Sequence, residues 1–436
     1  MTEPERPIAF VRTEFVAPQP PPPGQTGAVR WVMDNLLSSV TNVLLTLASL
    51  YVVWLVLASL VPWLANSVWV ADSLTECRAI RDATVGPDGS AACFAVITER
   101  WTQLLFGFYP SDGYWRPILS LVLFLLAAWP VMFERGPRPL LWLVPVVPFV
   151  IFWLLWGGSI WPTVMTALGF VIGYVAFRMI SDRSALIGMV AGVVIALLWW
   201  VLFAGPTGGA LAGLIPIELP AVSSRDFGGF TLSLVIGLSA ICLSLPLGIL
   251  LALGRQSDML IIRVICTAFI EVIRGVPLIV WLFTAQLLLN YFLPRGTNFD
   301  LMLRVIIMVT LFSSAYIAEV IRGGLAALPK GQFEAGDALG LDYWQSMRLV
   351  VLPQALKISI PGIVNTFIGL FKDTTLVTFI SMFDPMGFAK AIRTDQSWNG
   401  IYWEIYFFIA VMFFVFCYAM SRYSMFLERK LQREHR

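Results

Sequence analysis

Long apolar runs separated by short polar breaks occupy most of this chain. A helix that crosses a bilayer takes roughly 20 apolar residues, and about ten stretches reach that length: 40–63, 115–133, 140–156, 160–180, 185–204, 229–253, 263–291, 301–324, 356–382 and 400–424. The third carries Pro145 and Pro148, which allows a merged or re-entrant course. The pattern predicts an all-α polytopic membrane protein with both ends on one side. Residues 1–36 are polar and include "PQPPPP" from Pro18, the composition of a disordered or polyproline tail. Residues 64–114 form a long loop, and the Gly/Pro-rich stretch 205–228 joins two groups of helices, 37–224 and 225–430.

One polar stretch interrupts the C-terminal runs. It reads "EAGDALGLDYWQSMRLVVLP", from Glu334 to Pro353. Upstream, Gly323 and Gly324 offer a left-handed helix stop, and Pro329 blocks continuation. A short helix is expected to restart near Gln332. Ala335, Gly336, Ala338 and Gly340 keep its surface low, and Glu334 and Asp337 suit the positive end of its dipole. Gly340 ends it. Asp342 and Gln345 then make a capping box for a second helix flanked by Trp344, Met347, Val350 and Val351, which Pro353 is expected to break. The segment 326–353 is either a docking knob beneath the membrane or a re-entry loop with no partner.

Composition removes several function classes. The chain is 58% hydrophobic and 13% charged, where a soluble domain has about 25% charged residues, so lipid must cover it. A net charge of +2 argues against nucleic acid as a partner. With one histidine, His435, and no C-x-x-C or Cys/His cluster, no metal site and no catalytic residue is assigned. Cys242, Cys266 and Cys417 lie in apolar runs. Cys77 and Cys93 lie in the 64–114 loop. In an oxidising compartment they can close a loop of about 15 residues, worth roughly 3 kcal/mol in the chain-entropy model; otherwise they are free thiols.

Charges at membrane depth are costly and mark a pathway or a pairing. Glu271 and Arg274, and again Glu319 and Arg322, stand three apart on a helix, so they either pair to steady helix ends or line a gate. Gly275 and Pro277 suggest a local break beside the first pair. From Lys357 to Lys372 a helix climbs about 22 Å, placing Lys372, Asp373, Thr374 and Thr375 well inside the bilayer. That quartet offers both charges a zwitterion needs, or else Lys372 and Asp373 neutralise each other at a kink.

Glu334-Ala335-Gly336, then Gly340, then Leu352-Pro353 resembles the EAA loop of ABC-importer permeases, with Gly336 where alanine is usual and Val350 where isoleucine is usual. "EVIRGVPLIVWLF" from Glu271, "AYIAEVIRGGLAALPKGQFEAGDALGL" from Ala315 and "KDTTLVTFIS" from Lys372 are similar to the polar amino-acid permeases related to histidine and glutamine importers, with Trp281 where glutamine often stands. The likeness spans about residues 225–430. The polar tail, extra helices and long loop resemble the larger permeases of general L-amino-acid and Glu/Gln/Asp/Asn importers. The resemblance implies a permease core at 225–430 and no cofactor in this chain. It implies ATP-Mg on two separate cytosolic ATPase subunits, a periplasmic amino-acid-binding protein, and a second permease, a sister chain rather than an identical copy. It also implies a bacterial inner membrane. In agreement, no G-x-x-x-x-G-K-[ST] phosphate loop occurs in the sequence. Arginine and lysine placement puts both termini on the cytoplasmic side. The rival reading, a secondary transporter or channel, needs no docking knob and often shows an inverted repeat, of which the two halves bear no sign.

Overall fold

The structure, a computed structural model, describes residues 27–87, 89–133, 136–182, 184–288 and 300–433. The proline-rich stretch through residue 26, Arg135 and His435 lie outside those residues. Inside the stretch expected as a tail, Ala28–Asn35 is helical (α1).

Two compact units divide the chain: Met1–Val68 with Arg78–Ala92, and Trp69–Cys77 with Cys93–Arg436. In the first, α2 (Val40–Ala65) is an apolar helix capped by Ser39, whose Oγ accepts from the Asn42 N–H at 3.2 Å. None of its side chains is buried, as befits a helix sheathed in lipid. The expected join at 224–225 falls inside the second unit.

The 64–114 stretch is more than a loop, since it contains α3 (Leu74–Val85) and α4 (Ala95–Phe106). Cys77 and Cys93 are bonded, with Cα atoms 6.2 Å apart. The Cys93 N–H donates to Glu404 Oε1 at 2.8 Å, and the Leu74 N–H donates to Ser397 O at 2.8 Å. Leu74 and Cys93 are thereby fastened to Ser397 and to the first turn of the last helix.

The third apolar stretch is not one helix but two pieces. After α5 (Trp115–Met132) comes a 3₁₀ turn, Arg138–Leu143, and then α6 (Val147–Trp156). Met132 O accepts from Tyr423 Oη at 2.8 Å near the C-terminal end of the last helix. Leu155 O accepts from Tyr109 Oη at 2.8 Å, close to where α5 begins. Residues 138–156 therefore run back to the end from which α5 set out. Pro145 removes a donor ahead of α6, and Pro148 sits in the first turn of α6, where a helix starts readily.

Next come α7 (Trp161–Ser181), α8 (Ala185–Leu198) and α9 (Ala204–Leu214). A π turn at Trp199–Phe203 joins α8 to α9, so a single span runs Ile187–Leu214. The expected 205–228 loop shrinks accordingly. Pro206 sits in the first turn of α9, where a missing N–H costs little. A two-stranded ladder, β1 (Gly158–Ser159) on β2 (Glu218–Leu219), pins the remaining loop.

The C-terminal group comprises α10 (Gly229–Arg255), α11 (Leu260–Gly275), α12 (Leu278–Phe283), α13 (Leu301–Ala326), α14 (Gly331–Ala338), α15 (Tyr343–Ser346), α16 (Leu352–Asp373), α17 (Pro385–Thr394) and α18 (Trp403–Arg433). The stretch expected as one span over 263–291 is a pair, α11 and α12, bent by 102°. Among the described residues, eight unbroken spans, this bent pair and the pieced segment 138–156 account for the apolar runs.

Water does not drive side chains together inside a bilayer, so packing and polar satisfaction hold the helices. One apolar cluster gathers Leu232, Ile236, Leu282, Val305, Val377 and Ile380. A second, toward the opposite end of α13, gathers Ile270, Ile317, Ile321, Met347, Val351 and Ala355. Buried Arg304 on α13 donates Nη1 to Gln286 O at 3.2 Å, and Gln286 Nε2 donates to Ile380 O at 3.1 Å. These bonds satisfy carbonyls left over where helices loosen.

Candidate functional site

The 326–353 segment grows directly out of α13. Gly323 and Gly324 do not stop that helix, which continues to Ala326. Gly324 is instead a point of close approach, since a Cβ there would lie 2.6 Å from Ala355 O on α16. Glu334, Ala335, Asp337, Ala338 and Leu339 are exposed on α14, whereas Gly336 is buried. A Cβ on Gly336 would collide with Ser346 Oγ, so glycine at the position where the resembled loop has alanine lets α14 and α15 touch.

Gly340 ends α14 with φ 70°. The Gly340 N–H donates to Asp337 O at 2.9 Å and the Leu341 N–H to Gly336 O at 3.2 Å, the paired bonds of a Schellman stop. Asp342 Oδ1 then accepts from the Gln345 N–H at 2.8 Å, while Gln345 Oε1 accepts from the Asp342 N–H at 3.2 Å. The capping box forms as the sequence predicts.

Pro353 does not break the second helix. A π turn at Met347–Val351 carries α15 into α16, and Pro353 occupies the first turn of α16, where its missing donor is tolerated. Leu352 is half-buried and Pro353 exposed. The knob is thus continuous with a span. It is also clamped. Phe333, Met347 and Val351 pack with Ile317 and Ile321 of α13, and Gln354 Nε2 donates to Gln332 Oε1 at 2.9 Å. Its outward face carries exposed Leu339, Tyr343, Trp344 and Leu349.

The charges expected as two separate pairs converge instead on one cluster. Glu319 Oε1 accepts from Arg322, as expected. Glu271 does not pair with Arg274. It takes Arg255 Nη2 at 2.9 Å, because Arg255 at the end of α10 lies between the acids. Glu319 Oε2 takes Arg255 Nη1 at 3.0 Å and Arg274 Nη1 at 3.5 Å. The Arg274 guanidinium also lies 5.4 Å from the Tyr316 ring centroid, a cation–π contact. Arg255 had no partner at helical spacing, which is why sequence reading missed it. Gly275 and Pro277 sit exposed at the bend, and Trp281 Nε1 donates to Ile273 O at 3.2 Å across it. The indole thereby serves an end carbonyl of α11.

Lys372 through Thr375 lie at the far end of α16, and no hydrogen bond or ion pair joins them to the arginine cluster among the described residues. Lys372 is exposed, Asp373 half-buried, and no ion pair links the two. Thr374 Oγ1 donates to Phe371 O at 2.7 Å and Thr375 Oγ1 to Lys372 O at 2.8 Å. With those protons committed, the hydroxyls keep only acceptor capacity. Lys372 is left as the side-chain donor of the quartet, and Asp373 with the half-buried Thr375 hydroxyl can face an ammonium, whereas Thr374 is buried. Buried Asp384, not singled out by sequence reading, caps α17 by accepting from the Gly387 N–H at 2.9 Å.

Residues 244–433 match the family described as binding-protein-dependent transport system inner membrane component. The chain is 57% identical over 431 residues to the glutamate/glutamine/aspartate/asparagine transport system permease protein BztC of Rhodobacter capsulatus, covering 98% of this chain and 99% of that one. It is 37% identical over 426 residues to the inner membrane amino-acid ABC transporter permease protein YhdY of Escherichia coli K12, covering 96% and 98%. A solved amino-acid ABC transporter with histidines aligns at 32% identity and a TM-score of 0.41 over 45% of this chain and 90% of that chain. This chain belongs to the family of inner-membrane permease subunits of amino-acid ABC importers, which leave ATP hydrolysis to a separate ATPase.

Proposed function

We propose that this permease moves glutamate, glutamine, aspartate and asparagine, pairs with a sister permease, and takes its power stroke at the 326–353 loop. Residues 225–430 form the translocating core and 37–224 an added group of helices. Full-length likeness to a relative named for those four substrates supports the substrate class. The observation that carries the coupling role is the clamped knob. Its small, acidic face from Glu334 to Leu339 is open, and its inner face is locked to α13 and α16. In this reading Glu334, Ala335, Gly336, Gly340, Leu352 and Pro353 form the seat for one of two cytosolic ATPase subunits carrying ATP-Mg. A periplasmic binding protein presents substrate at the opposite end. Lys372, Asp373, Thr374 and Thr375 meet the zwitterion along the path.

Both termini then face the cytoplasm. An even number of crossings, with 138–156 as one of them, supports this, as do Lys330, Arg348, Lys357, Arg429 and Lys430 gathered on that side. The test is uptake of the four labelled amino acids by proteoliposomes with ATP inside, the binding protein outside and the proton gradient collapsed. Uptake that needs ATP and the binding protein is expected, and uptake that persists without ATP would return the chain to secondary transport.

A further inference from the structure

Glu319 is one carboxylate that meets arginines from three helices. Arg255 is the last residue of α10, Arg274 stands one residue before the end of α11, and Arg322 lies one turn further along α13. We propose that Glu319 is the positioning residue that makes α10, α11 and α13 move as one body, so that displacement of the coupling loop reaches the bent pair α11–α12. The inference rests on the coupling role proposed for the loop.

Three features of the geometry support it. First, α13 is unbroken from Glu319 to Ala326, and only 327–330 separate it from α14. Phe333, Met347 and Val351 press on Ile317 and Ile321, which flank Glu319 on α13, so force on the loop arrives at the turns that hold this carboxylate. Second, α11 ends in a joint. Val276 and Pro277 are extended, and a Cβ on Gly275 would meet nothing within 4 Å. Beyond the joint, Leu278 and Leu282 belong to the other apolar cluster. Ile270 packs α11 against Ile317 and Ile321 of α13, and beside the joint Arg274 adds a polar tie through Glu319 and the Tyr316 ring. Third, the Glu319 side chain is only 22% exposed and that of Arg255 only 23%. Without the Glu319 carboxylate, Arg255 would keep Glu271, whose side chain is 55% exposed, while Arg274 and Arg322 would lose the carboxylate they share with it, and the three helix ends would lose their common tie.

The test uses the intact importer, with its ATPase and binding protein, in proteoliposomes. Glu319→Gln keeps the shape and removes the charge. The ATPase should still co-purify, while substrate moved per ATP hydrolysed should fall about tenfold, a coupling loss of ordinary allosteric size. A merely structural role would change the amount of complex and leave that ratio alone, so an unchanged ratio overturns the proposal. Should Glu319→Gln fail to assemble, spin labels at exposed Gln256 and Val272, after Cys242, Cys266 and Cys417 are replaced by alanine, give a second measurement with Glu319 in place. An equal α10–α11 distance with and without a trapped ATP analogue supports the single body, and a change between the two states overturns it. The two readings fail separately. An ATPase that stays bound to Gly340→Arg counts against the docking seat, whereas an unchanged ratio in Glu319→Gln counts against Glu319 alone.

Discussion

Gly340 and Gly336 shape the knob in different ways, and substitutions should separate them. At φ 70° an L side chain on Gly340 costs about 1–2 kcal/mol, yet nothing stands within 4 Å of it. Gly340→Arg should therefore insert and fold, and fail by placing a long cation on the seat. The expected outcome is normal membrane content with less co-purifying ATPase and less ATP-driven uptake. Gly336→Ala acts inside the knob, where the new methyl meets Ser346 Oγ, and overpacking of that kind costs about 1–3 kcal/mol. Its loss of ATPase binding should be relieved by Ser346→Gly in the same chain, and additive losses in the double variant would deny the contact. Asp384 adds a pH effect outside the spans. Burial raises its carboxyl to about 7, against the opposing pull of the Gly387 N–H. A folded value above the unfolded one of about 3.9 means that stability is fullest below about pH 4 and is lost as pH rises toward 7, by as much as ~4 kcal/mol. Asp384→Asn keeps the cap and removes the charge, so it should raise the thermal midpoint at pH 8 and hardly move it below pH 4.

Elements of the fold were legible wherever the signal was local. The capping box at Asp342, the stop at Gly340 and the apolar length of most spans are written in neighbouring residues. Partners distant in sequence were not legible. Arg255 reaches Glu319 across 64 positions, and the orphan carbonyls that Arg304 serves belong to a helix the sequence gives no reason to think broken there. The glycine pair at 323–324 and Pro353 misled for a related reason. Each is a breaker by propensity, but tight packing of α13 on α16 and a π turn absorbed them. The bond between Cys77 and Cys93 lay between these cases, since spacing permits it and only folding brings the sulfurs together. It closes the turn of chain between α3 and α4 and fixes Cys93 where its N–H meets Glu404. Replacing both cysteines by serine should cost about 3 kcal/mol in the chain-entropy model. Proteolysis within 78–92 should then be faster in the variant, and in the native protein after reduction. Equal cleavage rates in all three samples would show that the loop holds without the bond.

At the scale of the whole importer, the proposed docking seat and the proposed recognition quartet stand at opposite ends of α16, so their effects should separate. The second helix of the knob starts at Tyr343, while Lys372 and Asp373 close the helical run about 45 Å further along at 1.5 Å per residue. A path for zwitterions needs one group of each sign within reach, and neither of these two charges is spent on the other. The threonine protons are committed to helix carbonyls, so Lys372 must meet carboxylate and Asp373 must meet ammonium. Each is a charge-assisted contact worth about 1.5–3 kcal/mol, which is roughly 10- to 150-fold in transport. Asp373→Asn should lower uptake of glutamate, glutamine, aspartate and asparagine by similar factors, because all four carry the same ammonium. Lys372→Met should weigh more heavily on glutamate and aspartate, whose extra carboxylate loses its nearest cation. Neither change should release the ATPase, since the seat is untouched. The measurement is initial uptake rate for each amino acid, normalised to assembled complex. If both variants carry all four at the native rate, the end of α16 is not on the path. Its charges would then be answered by a neighbouring subunit or by lipid headgroups, and the path would run instead along the faces around the α11–α12 joint.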